Sequence, residues 1–245
     1  MKENRYDTPD FFQKYQSFPR SVEGLKAAGE WEEFQKLLPD FAGKRVLDIG
    51  CGFGWHCNYA AHHGAKFVLG TDISEKMLEV AKEKTIYDNV TYQKIAMEEL
   101  GFPSNSFDVV ISSLAFHYTP DFFPICERIA GWLPIGGSFV FSVEHPIYTA
   151  QGSQQWIYND QGEALYWPVD RYFEQGRREA VFLGEKVIKY HKTLTTYVNG
   201  LLQTGFAITH LVEPTPPKQW LEENAQMREE LRRPMMLLIA ARKES

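Results

Sequence analysis

The chain has 245 residues, a length that suits one α/β domain with an insertion. Of these residues 44% are hydrophobic and 24% charged, a composition that excludes a disordered chain. A formal net charge of −6, with no basic run longer than a pair such as Arg177-Arg178, offers no extended surface for nucleic acid. No segment approaches the roughly 20 apolar residues of a membrane span and the first residues lack a signal-peptide core, so we expect a cytoplasmic protein without a membrane partner.

The first 39 residues predict a helical lid beside the rest of the fold. Apolar residues recur at helical spacing between Leu25 and Leu38. Ser21 is placed to begin this helix and Pro39 to stop it. We therefore predict one continuous helix in this segment.

Beyond residue 40, apolar strands and helical stretches alternate. Ser74 is placed to begin the helix after the second strand, and Gly205 to end the helix before the sixth. Strands that alternate with helices pair in parallel through right-handed crossovers. The pattern predicts a three-layer, doubly wound α/β fold around a mostly parallel sheet. The seven predicted strands cover residues 46–49, 66–71, 90–94, 107–113, 138–144, 206–213 and 235–242.

Residues 146–192 interrupt the alternation and form a predicted insertion. They are rich in aromatic residues, among them Trp156 and Trp167. Residues 180–183 and 186–190 flank Gly184-Glu185, a sequence typical of a hairpin turn. We interpret this insertion as a small cap that covers a substrate.

The segment from Val46 to Gly54 reads as an apolar strand, a glycine turn and the start of a helix. Its glycines permit close backbone approaches, and a helix N-terminus offers unpaired N–H groups to a ligand. The dinucleotide fingerprint GxGxxG fails here because Trp55 occupies its last position. A nicotinamide oxidoreductase is therefore disfavoured.

The pattern that is present, DxGxGxG, resembles the first motif of class I, seven-strand methyltransferases that use S-adenosylmethionine. This resemblance implies an antiparallel last strand beside the fifth, and a single domain with its cofactor-binding core at residues 40–145 and its closing strands at 193–245. It also implies that Asp48 helps to hold the amino end of the cofactor and that the glycine turn passes under the methionine part. The motif residues are Asp48, Gly50, Cys51, Gly52 and Gly54.

Asp72, at the end of the second strand, is the predicted acceptor of hydrogen bonds from the ribose hydroxyls. Ile73 and Met77 are expected to contact the ribose or adenine. In many family members, an Asp in the connection between the third and fourth strands binds the adenine amino group with its carboxylate. This chain has Ala96 at that position. We then expect Met97 and Glu98 to contact the adenine, and Ser113 to lie at the methyl edge of the cofactor.

The segment after the fourth strand carries no Asn/Asp-Pro-Pro-Tyr motif, no Pro-Cys nucleophile and no carboxylates for a metal. No metal is predicted. The sequence instead resembles the broad small-molecule branch of the family, which includes quinone-ring methyltransferases. We expect in-line methyl transfer to an unidentified small molecule. Two alternatives stay open, a non-catalytic cofactor-binding module and a methyltransferase acting on a macromolecule; the oligomeric state is open as well.

Two histidines are candidate bases for an acceptor that must lose a proton. His117 follows the fourth strand, and His145 follows the fifth, so both are predicted at the carboxyl edge of the sheet. His117 is the leading candidate because it lies at the expected methyl position.

Overall fold

The computed structural model describes residues 4–245, except for the side chains of residues 225 and 226. In chain order its strands are β1 (Arg45–Ile49), β2 (Phe67–Asp72), β3 (Val90–Lys94), β4 (Val109–Ser113), β5 (Ser138–Glu144), β6 (Ile157–Tyr158), β7 (Ala164–Tyr166), β8 (Gly176–Phe182), β9 (Glu185–His191), β10 (Phe206–Val212) and β11 (Met236–Lys243). Its α-helices are α1 (Pro9–Gln16), α2 (Pro19–Glu23), α3 (Trp31–Leu37), α4 (Trp55–His62), α5 (Glu75–Lys84), α6 (Phe123–Trp132), α7 (Pro146–Ala150), α8 (Leu194–Gln203) and α9 (Lys218–Glu223). Short 3₁₀ helices cover Arg5–Asp7, Gly24–Ala27, Met97–Glu99, Phe116–Tyr118 and Ala225–Arg232.

Seven strands form the central sheet in the order β10-β11-β5-β4-β1-β2-β3. β1 to β5 pair in parallel, while β11 is antiparallel to both β5 and β10. This arrangement confirms the predicted fold, including the reversed last strand beside the fifth. β3 and β5 have the predicted bounds, and the other strands differ from prediction by one or two residues at their ends.

Helices cover both faces of the sheet, which gives the predicted three layers. On one face, α6 and α8 pack on the apolar side chains of β4, β5 and β11. On the other face, α4 packs on β1 and β2, α5 packs on β2, and α3 lies beside β11. The Oγ atom of Ser74 accepts a hydrogen bond from the Met77 N–H, 3.1 Å away, and so caps α5 as expected. All five parallel strands therefore point their carboxyl ends at one edge of a rigid sheet.

The prediction of one continuous N-terminal helix is wrong. The segment divides into α2, a 3₁₀ turn at Gly24–Ala27 and α3. Gly24 has a φ of +68°, and a Cβ at this position would lie 2.9 Å from the Trp55 ring. The apolar spacing reflects burial of two separate segments, because a left-handed glycine interrupts the helix between them.

The insertion contains the predicted hairpin as β8 and β9. Phe182 pairs with Glu185, so the turn residues are Leu183 and Gly184, one position earlier than predicted. Both have positive φ, +53° and +76°, as a two-residue hairpin turn requires. Phe11 of α1 is buried against this hairpin, so the N-terminal segment and the insertion pack together above the sheet edge.

None of the helices within residues 4–245 has the length and apolar character needed to cross a membrane.

Candidate active site

The glycine turn lies flat against the ends of β2 and β4. The N–H groups of Gly50 and Cys51 donate to the Thr71 carbonyl over 2.8 and 3.0 Å, and Gly54, with a φ of +75°, begins α4. Gly50 has a φ of +72°, and a Cβ there would lie 2.5 Å from the Ala115 Cβ. Only glycine fits this position. At Gly52, by contrast, a Cβ would meet nothing within 4 Å, so the turn leaves open space there.

Asp72 joins the glycine turn to the start of α5. Its Oδ2 accepts from the Gly52 N–H and its Oδ1 from the Ser74 N–H, each over 2.9 Å. Burial raises the pKa of this carboxyl group, against the lowering effect of these backbone hydrogen bonds. Each carboxylate oxygen retains a lone pair for a second donor. Ile73 and Met77 line the same cavity as Asp72.

Asp48 lies beneath the glycine turn and is 1% exposed. Its Oδ2 accepts a hydrogen bond from the Cys57 thiol over 3.3 Å, while its Oδ1 has no partner among the described residues. Burial raises the pKa of Asp48 to about 7. Unlike the turn above it, Asp48 does not line the cavity, so any contact with a ligand requires an intervening group such as water.

An ion pair from the N-terminal segment closes the cavity on the other side of the glycine turn. The Arg20 Nη1 lies 2.5 Å from the Glu30 Oε1, and its Nη2 donates to the Ser113 Oγ over 2.9 Å. The Glu30 Oε2 and the Trp55 Nε1 are buried without a partner among the described residues. The side chains of Arg20, Glu30 and Trp55 therefore bring a guanidinium, a carboxylate and an indole to the wall of one cavity.

The connection between β3 and β4 forms a further wall. Met97 and Glu98 line the cavity, and Ala96 is buried. Arg128 of α6 donates from its Nη1 to the carbonyls of Glu98 and Leu100 over 2.7 and 3.2 Å. These hydrogen bonds fix the backbone of the connection.

His117 lies on the 3₁₀ turn Phe116–Tyr118 and lines the cavity. It is 3% exposed, and its Nδ1 has no partner in the described part of the chain. Burial lowers the pKa of His117 to about 4; Glu144 opposes this effect, and Lys189 and Lys192 add to it. The imidazole is therefore neutral at neutral pH and is a weak base.

The structure corrects the catalytic assignment of His145. Its Nδ1 accepts from the Ile147 N–H over 3.1 Å, which caps α7, and its Nε2 lies 2.9 Å from the Glu213 Oε1. His145 does not line the cavity. The strand turns into α7 at this residue, so the ring is used to begin that helix.

A polar network that the sequence interpretation did not assemble stands at the end of β5. The Lys189 Nζ lies 2.5 Å from the Glu144 Oε1 and 3.0 Å from the Gln154 Oε1, and the Gln154 Nε2 donates to the Glu144 Oε2 over 2.8 Å. All three side chains line the cavity. The one available signal was the alternation of β9, in which Lys189 occupies the inward face between Val187 and His191.

These walls line one cavity of about 1030 Å³. The N-terminal segment covers it with Arg5, Tyr6, Tyr15 and Phe18, and the hairpin covers it with residues from both of its strands. Of the predicted cofactor residues, Asp48 and Gly54 lie behind its wall. Those that line it are Gly50, Cys51, Gly52, Asp72, Ile73, Met77, Met97, Glu98 and Ser113.

Comparison with known proteins identifies the class of protein that this fold and cavity represent. Residues 47–141 match the Methyltransferase domain family. A crystal structure from Mesorhizobium loti of an S-adenosylmethionine-dependent methyltransferase is 42% identical, covers 90% of this chain and 100% of its own, and has a TM-score of 0.83. A crystal structure from Listeria monocytogenes, of a protein assigned to the S-adenosylmethionine-dependent methyltransferases, is 53% identical to this chain. It covers 91% of this chain and 100% of its own, with a TM-score of 0.86.

The chain belongs to the S-adenosylmethionine-dependent methyltransferases, and its cofactor is S-adenosylmethionine. A more partial similarity is to the ubiquinone biosynthesis O-methyltransferase of Neisseria meningitidis, 37% identical over 107 residues. That match covers 42% of this chain and 45% of the relative.

Proposed function

We propose that the protein transfers the methyl group of S-adenosylmethionine to a small molecule enclosed beneath the cap. The observation that carries this proposal is the shared cavity, because predicted cofactor residues and cap residues line the same space. Cavities that hold one ligand typically measure about 300 to 1,000 Å³. A volume of about 1030 Å³ lies at the top of this range. The lining of this space by both cofactor and cap residues supports an acceptor beside the cofactor and so favours an enzyme over a non-catalytic binding module.

The residues present fit the cofactor. The Arg20 guanidinium suits the cofactor's carboxylate, and the unpartnered oxygens of Glu30 and Asp48 suit its ammonium group, the latter through water. Asp72 suits the ribose hydroxyls. The apolar wall that includes Met77 suits the adenine ring. The unpaired oxygens of Glu30 and Asp48 thereby gain partners, which removes their desolvation cost.

When bound, S-adenosylmethionine supplies an electrophilic methyl group on a sulfonium. The chain's own contribution is to hold the acceptor in line with that methyl group and to exclude water. The glycine turn, the buried His117 and the covering N-terminal segment provide such an enclosure. His117 receives a proton only from an acceptor acidic enough to release it to a weak base.

The acceptor that fits this enclosure is small and at least partly aromatic. Rings line its acceptor side, including Tyr118, Tyr148, Phe182 and Tyr190. The similarity to an O-methyltransferase of ubiquinone biosynthesis supports a quinone-type or phenolic ring among the candidates. A macromolecular acceptor has less support, because the N-terminal segment and the hairpin pack together over the cavity.

The test is a screen of small acceptors that follows release of S-adenosylhomocysteine. Turnover with at least one small molecule is the expected result, and His117→Ala, on the acceptor side, should leave the cofactor affinity nearly unchanged. Asp72→Ala is the matched cofactor-side variant, and we expect it to weaken S-adenosylhomocysteine binding in calorimetry. Folded wild-type protein that gives no heat with the cofactor or its product would refute the proposal. Turnover confined to peptide or RNA acceptors would assign the macromolecular alternative.

A further inference from the structure

The Glu144–Lys189–Gln154 network joins three separate segments of the chain at the cavity wall. Its three members come from the core strand β5, the cap loop and the hairpin strand β9. The Lys189 side chain is 4% exposed and the Glu144 side chain 16% exposed. A buried ion pair stabilises a fold no better than well-packed apolar residues of similar volume. Its placement on the cavity wall therefore points to a ligand.

Lys189 has one donor to spare for such a ligand. An ammonium group carries three N–H donors, of which one is directed to Glu144 and one to Gln154. The third has no hydrogen-bond partner among the described residues; the Phe182 ring lies 5.7 Å from the Nζ atom. The carboxylate side of the network is occupied, because each Glu144 oxygen already accepts a hydrogen bond.

Glu144 is ionised despite its burial. Burial alone raises the pKa of this carboxyl group, but Lys189, His117 and the hydrogen bonds from Lys189 and Gln154 outweigh that effect, so its pKa lies below the usual range. The network thus keeps a charged ammonium at the acceptor side of the cavity. His117, the neighbouring histidine, offers only a weak base there.

We propose that Lys189 binds the acceptor through an anionic oxygen, a phenolate, enolate or carboxylate, and holds that oxygen as the nucleophile of the transfer. This inference rests on the proposed function and deepens it by naming the substrate class. The acceptor's proton leaves to solvent before or during binding. In the transfer, an oxygen lone pair forms the new O–CH₃ bond, the S–CH₃ bond breaks, and its electron pair remains on sulfur. An anion and a sulfonium are converted into a neutral methylated product and a neutral thioether, and no strong base is required.

Glu144 has a defined secondary role in this arrangement. It holds the Lys189 ammonium in place while the acceptor is absent, and it opposes the binding of an anion by its own negative charge. Replacing it with the neutral isostere Gln should therefore strengthen anion binding, whereas removing the ammonium should weaken it. Opposite effects from the two partners of one ion pair would distinguish an electrostatic contact from general damage to the cap.

The experiment uses 4-nitrophenol, whose visible absorption belongs to its phenolate form. It is titrated across pH into protein saturated with S-adenosylhomocysteine, and benzoate is tested as a competitor to separate a phenolic from a carboxylate preference. Wild type should lower the apparent pKa of the bound phenol, and Glu144→Gln should lower it further. Lys189→Met should weaken phenolate binding by roughly 30-fold or more, the lower end for loss of a buried charged contact. Lys186→Met is the matched control, because Lys186 lies on the same strand, is 72% exposed and pairs with Glu179.

Lys189→Met leaves Glu144 buried without its ion-pair partner, so the double variant Lys189→Met/Glu144→Leu is measured beside it. That variant should bind S-adenosylhomocysteine as wild type does and show no bound phenolate. Absence of a bound phenolate spectrum in wild type at millimolar probe would overturn the inference, as would phenolate binding that survives in the double variant. Failure of the folded wild type to bind S-adenosylhomocysteine would instead overturn the proposed function.

Discussion

Asp48→Asn tests whether the buried carboxyl group beneath the glycine turn destabilises the protein when no cofactor is bound. The Asp48 Oδ1 has no partner among the described residues, and the side chain is 1% exposed. Burial, assisted by the negative charge of Asp72 and opposed by the Cys57 hydrogen bond, raises the pKa of Asp48 from 3.8 to about 7. Asparagine has nearly the same shape and does not titrate, so it removes the ionisation and little else.

The sign and size of the effect follow from this pKa. The pKa of Asp48 is higher in the folded state than in the unfolded state. Its favourable contribution to the free energy of unfolding is therefore full below the unfolded-state pKa of 3.8 and is lost as the pH rises through about 7. From about pH 5, two pH units below the folded pKa, to about pH 8, the wild type should lose about 3 kcal/mol relative to the variant, at about 1.4 kcal/mol per unit. His56 and His117, whose pKa values burial lowers to about 3 and about 4, titrate alike in both proteins and cancel in the comparison.

The assay is urea unfolding of both proteins without cofactor at several pH values between about 5 and 8. The unfolding free energies should diverge with increasing pH in favour of Asp48→Asn. Calorimetry should show the reverse for ligand binding: the variant binds S-adenosylhomocysteine more weakly because the ammonium group loses its charged partner. Parallel stability curves for the two proteins would refute the argument that Asp48 ionises at a cost inside the fold.

Two further predictions concern the glycine turn and α7. Gly50→Ala should reduce the free energy of unfolding by more than the ~1–2 kcal/mol that a left-handed alanine costs, because its Cβ would lie 2.5 Å from the Ala115 Cβ. The matched control in thermal unfolding is Gly43→Ala, since Gly43 has a φ of +70° and a Cβ there would meet nothing within 4 Å. Equal losses in the two variants would show that the contact with Ala115 is relieved without cost. His145→Ala should lower stability by ~1 kcal/mol through loss of the helix cap and leave kcat within about twofold once an acceptor is known; a large fall in kcat with normal stability would restore its catalytic assignment.

The sheet and the cofactor side were predictable because their signals are local in the chain. A buried strand, its glycine turn and the following helix are contiguous from Val46 onward, so one stretch of sequence determines both the turn and its place at the sheet edge. Asp72 ends the next strand, and adjacent parallel strands must bring their carboxyl ends together. The register between β1 and β2 then places the Asp72 carboxylate 2.9 Å from the Gly52 N–H.

The errors arose where a local pattern has more than one physical use. Apolar residues at helical spacing around Gly24 are buried in two short helices, since spacing reports burial and not continuity of the backbone. His145 was correctly placed at the end of its strand, yet a side chain that follows a strand can cap the next helix instead of facing the ligand.

The acceptor side was not predictable for a different reason: its chemistry exists only after distant segments meet. Glu144, Gln154 and Lys189 are separated by 10 and 35 residues along the chain, and each alone is typical of a solvated surface position. Their juxtaposition depends on how the hairpin packs against α1 and on how the cap loop returns to β5. A family can therefore retain its cofactor turn while the cap changes its acceptor, because the two sets of residues belong to different segments. In this chain the cap places a cation beside a weakly basic histidine, and that combination favours acceptors that arrive as anions over those that need a base.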